Sequence, residues 1–408
     1  MSRAFVASFL GWTLDAYDFF LVIVVVPHLA DDFHRSVAAI SVAVTLTLAM
    51  RPVGALIFGW FADRYGRRGP LMVDIGLYSL FELLTAFSPN LTVLLVLRAL
   101  FGVAMGGEWG LGAALAMESL PPRRRGLFSG MLQQGYAVGY LLAAVTLALL
   151  YTHIGWRGMF ALGVLPALLI LYIRRSVPES PGWKAGAAPP AFQPRAILGS
   201  LRRYGVLFVY GMLLMAALNF MAHGSQDPYA TFLTKQMKFS PEFVGTIAAI
   251  TMVGAICGGT FFGWLSQHIG RRVAIVAAAL IGAALIPVWA FGHTAAALAA
   301  GGFFMQFMIQ GAWGIIPAHL NELAPPSARG TFPGFTYQLG NLIAAGTLQI
   351  EATLAAHRFI SPAGPNYAMA MAFFMALAFA AVIVMTLLGY GVAAERRDEA
   401  LASTSFRR

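Results

Sequence analysis

The strongest constraint on this chain is that it is written twice. Gly59-Trp60 returns as Gly263-Trp264, Gly66-Arg67-Arg68 as Gly270-Arg271-Arg272, and Trp109-Gly110 as Trp313-Gly314. Glu118, Pro121-Pro122 and Arg125-Gly126 return as Glu322, Pro325-Pro326 and Arg329-Gly330, and Gln134 returns as Gln338. Every pair is 204 positions apart in a chain of 408 residues, so the repeated unit is half the molecule. A repeat of that size predicts two copies of one bundle related by pseudo-symmetry.

The units belong in a bilayer. Hydrophobic residues make up 59% of the chain, charged residues 11%, and mean hydropathy is +0.73. Soluble domains carry roughly 25% charged residues. Twelve apolar stretches approach the ~20 residues that cross a bilayer, at 4–27, 36–60, 69–88, 91–116, 125–151, 156–175, 204–231, 241–265, 272–292, 296–319, 329–353 and 367–391. A polar connection at 176–203, holding Pro178, Pro181, Pro189, Pro190 and Pro194, divides six from six. The expected product is an all-α membrane protein: a six-helix bundle over 1–175, a central loop over 176–203, and a second six-helix bundle with its tail over 204–408.

Charge sets the orientation. With the N-terminus inside, 20 of the 27 basic residues fall on the cytoplasmic side, among them Arg67, Arg68, Arg123 to Arg125, Arg271, Arg272, Arg407 and Arg408. Five lie outside (Arg35, Arg157, Lys235, Lys238 and Arg358), and Arg51 and Arg98 fall within the membrane. This asymmetry places both termini in the cytoplasm and accounts for the net charge of +10 without nucleic acid. The first apolar segment is too long for a cleavable signal and contains Asp15 and Asp18. One cysteine, Cys257, leaves no internal disulfide and no Cys-based metal centre. His153, His293 and His357 lack metal-ligand spacing, and Gly106-Gly107 and Gly258-Gly259 lack the G-K-[ST] of a phosphate loop.

Ionisable groups inside the spans are expensive in lipid and point to a cavity. Asn219, His223 and Asp227 are four apart, and with Gln226 they fall within about one third of a helix circumference. Asp15 and Asp18 share a face of the first span, where two close carboxylates disfavour double ionisation. Arg51 lies eight residues from Gly59, or about 12 Å into the membrane. Its guanidinium either binds a carboxylate ligand through a two-bond fork or pairs with Asp15, Asp18 or Asp74. Gln338 and Asn341 share a face of the eleventh span, either for a ligand or for helix–helix bonds. Gln306 and Gln310 form a further pair, and Trp12 and Tyr17 read as packing residues.

The pattern Asn219-x-x-x-His223-x-Ser225-Gln226-Asp227-x-x-x-Thr231 resembles the signature of the lactate/pyruvate:proton symporters, in the sialate:proton symporter group of the major facilitator superfamily. Ala222 stands where that family usually has Ser or Thr, a departure that bears on affinity or substrate preference. Trp12 to Phe20 resembles the W-x-x-D-x-[FY]-D-F-F stretch of the same group. Gly59 to Arg68 matches the superfamily loop G-x-x-x-D-R-x-G-R-R, whose second copy is degenerate, with Gln267 and His268 for Asp63 and Arg64. The resemblance implies twelve transmembrane helices in two pseudo-symmetric bundles, and proton-coupled symport of a small monocarboxylate through a bacterial inner membrane. It implies a substrate site of Arg51, Asn219, His223, Gln226, Gln338 and Asn341. Proton coupling falls to His223 and Asp227 or to Asp15 and Asp18, and Arg98 supports coupling or is structural. Asp63, Arg64, Arg67 and Arg68 form a gate latched to Glu118, with Glu322 as its counterpart. The implied partners are a small organic anion, protons and lipid, with no metal, no cofactor beyond the proton and a monomeric state. Other organic anions (sialate, a dicarboxylate, an aromatic acid) are the alternative substrates, and a non-transporting membrane sensor is the alternative class. No nucleophile–base arrangement supports an enzyme.

The topology is testable. Cysteines placed at positions 3 and 405 should both be protected from an impermeant reagent in intact cells, and labelling of either from outside overturns the orientation.

Overall fold

The repeat survives as two copies of the same packing. The computed structural model describes residues 2–184, 194–325, 328–362 and 364–405. Pro189, Pro190, Pro326, Arg407 and Arg408 lie outside them. The first half holds α1 (Arg3–Asp32), α2 (Val37–Tyr65), α3 (Arg68–Ala86), α4 (Leu91–Met105), α5 (Glu108–Glu118), α6 (Arg125–Gln133), α7 (Gly135–Leu162) and α8 (Ala167–Ser176). A short α9 (Pro181–Lys184) follows. The second half holds α10 (Pro194–Gln226), α11 (Tyr229–Thr231), α12 (Pro241–Ile269), α13 (Arg271–Phe291), α14 (Ala295–Leu323), α15 (Phe332–Ala344), α16 (Thr347–Thr353) and α17 (Tyr367–Ser405).

Helix starts are repeated with the sequence. Ser36 caps α2 by accepting from Ala39 N, and Ser240, 204 residues later, caps α12 through Phe243 N. Asn90 caps α4 through Val93 N, and its mate Thr294 caps α14 through Ala297 N. Each cap satisfies a backbone donor that lipid cannot. The closest helix contacts repeat too. A Cβ at Gly54 would sit 1.9 Å from the Val103 carbonyl oxygen, and one at Gly258 would sit 2.0 Å from that of Phe307. Only glycine allows α2 to lie on α4, and α12 on α14, at that distance. Val73, Leu141, Leu168, Val206 and Leu280 are exposed, as lipid-facing residues should be, and Cys257 is exposed with them.

Helix occupies all twelve expected spans, but several are segmented. Among the described residues, nine helices are long and apolar enough to cross a membrane, or ten if a pair bent by 105° counts as one span. The fifth and sixth spans run together in α7, which turns at Gly155 with a φ of 60°, and the sixth resumes as α8. The eleventh is divided between α15 and α16. Helix α10 already begins at Pro194, and the stretch of it that is apolar enough to cross a membrane begins at Tyr204.

The hydrogen bonds that join the halves gather on the basic face. Asp63, at the end of α2, accepts from Gly330 N (2.6 Å), Thr331 N (3.0 Å) and Thr331 Oγ1 (2.8 Å). Its repeat mate Gln267, at the end of α12, accepts from Gly126 N and donates to the Pro122 carbonyl at 3.2 Å. Gly126 and Gly330 are themselves mates, so one contact is made twice, and the degenerate second copy keeps the job with an amide oxygen. Between them Ser129 donates to the Gly314 carbonyl (2.7 Å) and accepts from Ala318 N (3.0 Å).

The expected latch from the arginines to Glu118 does not cross the halves. Arg67 bonds Asp63 (3.2 Å) and Glu118 (3.1 Å) within the first half, and Arg271 bonds Glu322 (3.0 Å) within the second. Arg68 donates to the Arg174 carbonyl, and Arg64 lies over the Tyr65 ring. The start of the expected central loop is also fixed in place. Glu179 accepts from Arg67 N (2.7 Å) and Arg68 N (3.2 Å), Ser180 donates to Glu118, and Trp183 Nε1 donates to the Asp63 carbonyl at 3.0 Å.

Asp63→Asn keeps the size of the side chain and removes the charge from three hydrogen bonds. Loss of one charge-assisted bond, about 1.5–3 kcal/mol, shifts the closed latch roughly ten- to hundredfold towards open. A cysteine at Ala318, buried between the halves, should then label faster in detergent-solubilised protein, and unchanged labelling would contradict the latch.

Candidate functional site

Between the halves lies a cavity walled by both. The first half contributes Phe19 (α1), Leu48 and Arg51 (α2), Gln133 (α6) and Tyr136 (α7). The second contributes Asn219, Ala222, His223 and Gln226 (α10), Gln310 and Trp313 (α14), and Tyr337 and Asn341 (α15). Of the expected binding residues, Arg51, Asn219, His223, Gln226 and Asn341 line the cavity. Gln338 does not: it is 1% exposed, and its Oε1 has no hydrogen-bond partner. Tyr337, one residue earlier and so 100° around the helix, occupies the wall instead.

Arg51 is the one cation in this wall. Its Nη2 lies 3.1 Å from Asp15 Oδ2, with side-chain exposures of 4% and 1%. Its guanidinium also sits over the Phe19 ring at 5.1 Å. The two readings of Arg51, ligand binding and pairing with Asp15, therefore meet in one place. Asp15 Oδ1 and Arg51 Nε have no partner, so the pair is singly bonded and leaves donor capacity on the guanidinium. Asp18 is wholly buried, with neither oxygen bonded.

Across the cavity, His223 ties α10 to α15. Its Nδ1 lies 3.1 Å from Asp227 Oδ2, and its Nε2 lies 3.3 Å from Asn341 Oδ1. Gln226 donates to Gln306 Oε1 (3.0 Å), and Gln306 donates to Ser225 Oγ (2.9 Å). The pair Gln306 and Gln310 is thus divided, with Gln306 bracing α10 and Gln310 in the wall. Asn219 returns its amide to the Met215 carbonyl at 2.8 Å. Tyr337 stacks on Trp109 at 4.5 Å and meets Trp313 edge-on at 5.7 Å, while Trp12 packs on Tyr136. Near Asp227 lies Glu351, 1% exposed with both oxygens unbonded.

Arg98 is elsewhere. It bonds Glu82 at 2.6 Å, with both side chains at 0% exposure, and lies over the Phe101 ring. It is a buried ion pair and not a cavity residue.

The sequence reading missed Phe19, Gln133, Tyr136, Trp313, Gln310 and Tyr337 as wall residues. The 204-residue register held the signal for some of them. Phe19 is the mate of His223, and Gln133 the mate of Tyr337, and all four face the cavity. Gln134 and Gln338, the repeated glutamines, are mates that lie off it. Chemically the wall offers one fork-shaped cation, an imidazole, several amides and aromatic faces, an arrangement suited to a small organic anion.

Comparison with known proteins agrees with this architecture. The family model described as Major Facilitator Superfamily matches residues 8–348. A probable 4-methylmuconolactone transporter of Cupriavidus pinatubonensis is 30% identical over 98% of this chain and 93% of its own length. A carboxylic acid transporter protein homolog of Saccharomyces cerevisiae is 32% identical over 86% of this chain, which spans only 61% of that relative's length. The crystal structure of the human organic anion transporter MFSD10 (TETRAN) superposes with a TM-score of 0.77 at 16% identity, over 93% of this chain and 99% of that one, a likeness of fold. By the family match and by its twofold bundle, the chain belongs to the Major Facilitator Superfamily and is an integral membrane transporter, not an enzyme.

Proposed function

We propose that the protein is a proton-coupled symporter of small monocarboxylates, with lactate and pyruvate as first candidates, working by alternating access. The observation that carries this reading is Arg51, a permanent cation in the cavity wall held by a single bond to Asp15. An incoming carboxylate competes with Asp15 for the guanidinium. Once Asp15 loses its counter-ion it sits as a bare carboxylate in a buried site, and it takes a proton instead. Anion and proton then occupy one state together, and one proton with one monoanion moves no net charge. His223 offers the alternative proton site. A protonated imidazole is stabilised by Asp227 on Nδ1 and Asn341 Oδ1 on Nε2, and would attract the same anion.

The arginine-rich latch face is assigned to the cytoplasm, in a bacterial inner membrane, by the excess of basic residues there. A closed latch on that face fits a cycle in which the cavity opens to the outside. The protein works as a monomer, with the proton as its coupling ion. The relatives, a carboxylic acid transporter homolog and a muconolactone transporter, support organic acids as the substrate class. They also favour a second reading, a larger or cyclic organic acid, to which the aromatic wall of Trp313, Tyr136 and Tyr337 is suited.

Uptake into proteoliposomes of labelled lactate, pyruvate, sialate, succinate and 4-methylmuconolactone, with and without an inward proton gradient, decides the substrate. Lactate or pyruvate should accumulate only with the gradient, and failure of both to enter removes the monocarboxylate reading.

Arg51→Lys keeps the charge and loses the fork. Uptake should fall roughly ten- to hundredfold at normal membrane levels, and wild-type transport would take Arg51 out of the site. Coupling is located by comparing Asp15→Asn, Asp18→Asn, His223→Ala and Asp227→Asn. A coupling variant loses proton-driven accumulation and keeps exchange at equal pH. If His223→Ala and Asp227→Asn both still accumulate substrate, the first helix carries the proton.

A further inference from the structure

A second cavity opens on the latch face, within the first half alone. It measures about 460 Å³ and lies where the starts of α1 and α3 meet the end of α8. Four arginines line it: Arg3, Arg68, Arg174 and Arg175. Among the described residues no carboxylate lines it, and none of the four is in an ion pair. Glu179, just beyond the lining, is engaged elsewhere: its oxygens accept from the backbone N–H groups of Arg67, Arg68 and Ser180. The rule that basic residues collect on one side of a membrane accounts for arginines on this face. It does not account for four of them around one hollow, where like charges repel unless an anion joins them.

The hollow has a built frame. Arg68 donates through Nη2 to the Arg174 carbonyl, which ties the start of α3 to the end of α8. The Nε of Arg68 is buried and has no partner. Ser2, also in the lining, begins the 30-residue α1 without a side-chain capping bond. The pocket therefore meets the positive end of that helix together with the four guanidiniums. Guanidinium forks match phosphate oxygens two bonds at a time. A zwitterionic headgroup would also bring an ammonium group among arginines, with no carboxylate in the lining to receive it. The chemistry of the pocket thus selects a phosphate that carries net negative charge.

The surface beside the pocket separates a lipid from a free phosphate. On α8, Leu168, Leu171 and Arg175 share one face at spacings of three and four residues, and both leucines are exposed. On α1, Arg3 and Leu10 are seven apart and share a face in the same way, and Leu10 is exposed. Leu168 lies about 10 Å along the helix from Arg175. Apolar stripes thus lead from the arginines along the lipid-facing surface of the bundle. An acyl chain would lie on them, whereas a free phosphate would leave them unused.

We propose that this pocket binds the headgroup phosphate of an anionic phospholipid. Arg68, Arg174, Arg175 and Arg3 hold the phosphate, and an acyl chain runs along Leu171 and Leu168.

The test titrates the full-length protein in detergent with dioctanoyl phosphatidylglycerol, dioctanoyl phosphatidylcholine or inorganic phosphate while its melting temperature is followed. A ligand of the folded state raises that temperature saturably. Phosphatidylglycerol should do so, and phosphatidylcholine and inorganic phosphate at the same concentrations should not. In Arg174→Gln/Arg175→Gln the half-saturating concentration of phosphatidylglycerol should rise at least about tenfold. Arg123→Gln/Arg124→Gln removes two exposed arginines outside the pocket and should keep the wild-type response. Absence of a saturable shift in the wild type, or the same rise in both double variants, overturns the site. An equal shift from phosphatidylcholine or from inorganic phosphate overturns the assignment to an anionic lipid. Should Arg174→Gln/Arg175→Gln not fold, Arg3→Gln is measured in its place. Its half-saturating concentration should rise at least about threefold, and an unchanged value overturns the proposal.

Discussion

A guanidinium does not lose its proton at any pH a cell meets, so Arg51 dictates what surrounds it. Placed about 12 Å into a membrane, it needs an anion at every stage of the cycle. In this structure the anion is Asp15, through one bond of 3.1 Å. The surrounding wall fits that requirement. Phe19 lies against the guanidinium, and the amides and imidazole opposite are already engaged with one another across α10, α14 and α15. A cavity so arranged leaves donor capacity on Arg51 that Asp15 does not use.

The latch is the mechanical counterpart of that electrostatics. It is made from two copies of one contact, Asp63 with Gly330 and Gln267 with Gly126. The two copies differ in strength, because a carboxylate accepts backbone hydrogen bonds more strongly than an amide oxygen does. The first half therefore grips the second more firmly than it is gripped. Arg67 with Glu118 and Arg271 with Glu322 keep each half rigid around its own grip, and Glu179, Ser180 and Trp183 brace the stronger one. Two bodies whose mutual hydrogen bonds gather on one face are suited to rocking, because opening costs those bonds and the packing beside them but little packing within either half.

Much of this was legible in the chain because a bilayer removes alternatives. The 204-residue repeat and the apolar stretches each had one structural outcome, and Arg51, Asn219, His223, Gln226 and Asn341, read from helical spacing and family pattern, meet at the cavity. What was illegible depended on distances smaller than a motif can encode. Gln338 and Tyr337 differ by one residue, yet one is sealed in the bundle and the other faces the cavity. Glu82 carries no pattern around it, and only the packing of α3 on α4 brings it to Arg98. Glu179, Ser180 and Trp183 sit in a proline-rich stretch that composition reads as loop. Glu179 is anchored by the backbone N–H groups of Arg67 and Arg68 and Trp183 by the backbone carbonyl of Asp63, groups that a sequence does not display.

The most informative departures are those from the repeat itself. A duplicated bundle begins symmetric, so each position where the mates differ in chemistry marks a demand that the fold did not impose. Asp15 faces Asn219 across the pseudo-axis, Phe19 faces His223, and Arg51 faces Ala255. Beside the cavity the first half thus placed the guanidinium and its carboxylate, and the second placed most of the amides and an imidazole. In the symport proposed above, a substrate held between Arg51 and the amides opposite would touch both halves. On that proposal, the closed arrangement of the two bodies would depend on whether Arg51 is satisfied by Asp15 or by the substrate, and a local exchange of counter-ions would be linked to the motion of half the molecule.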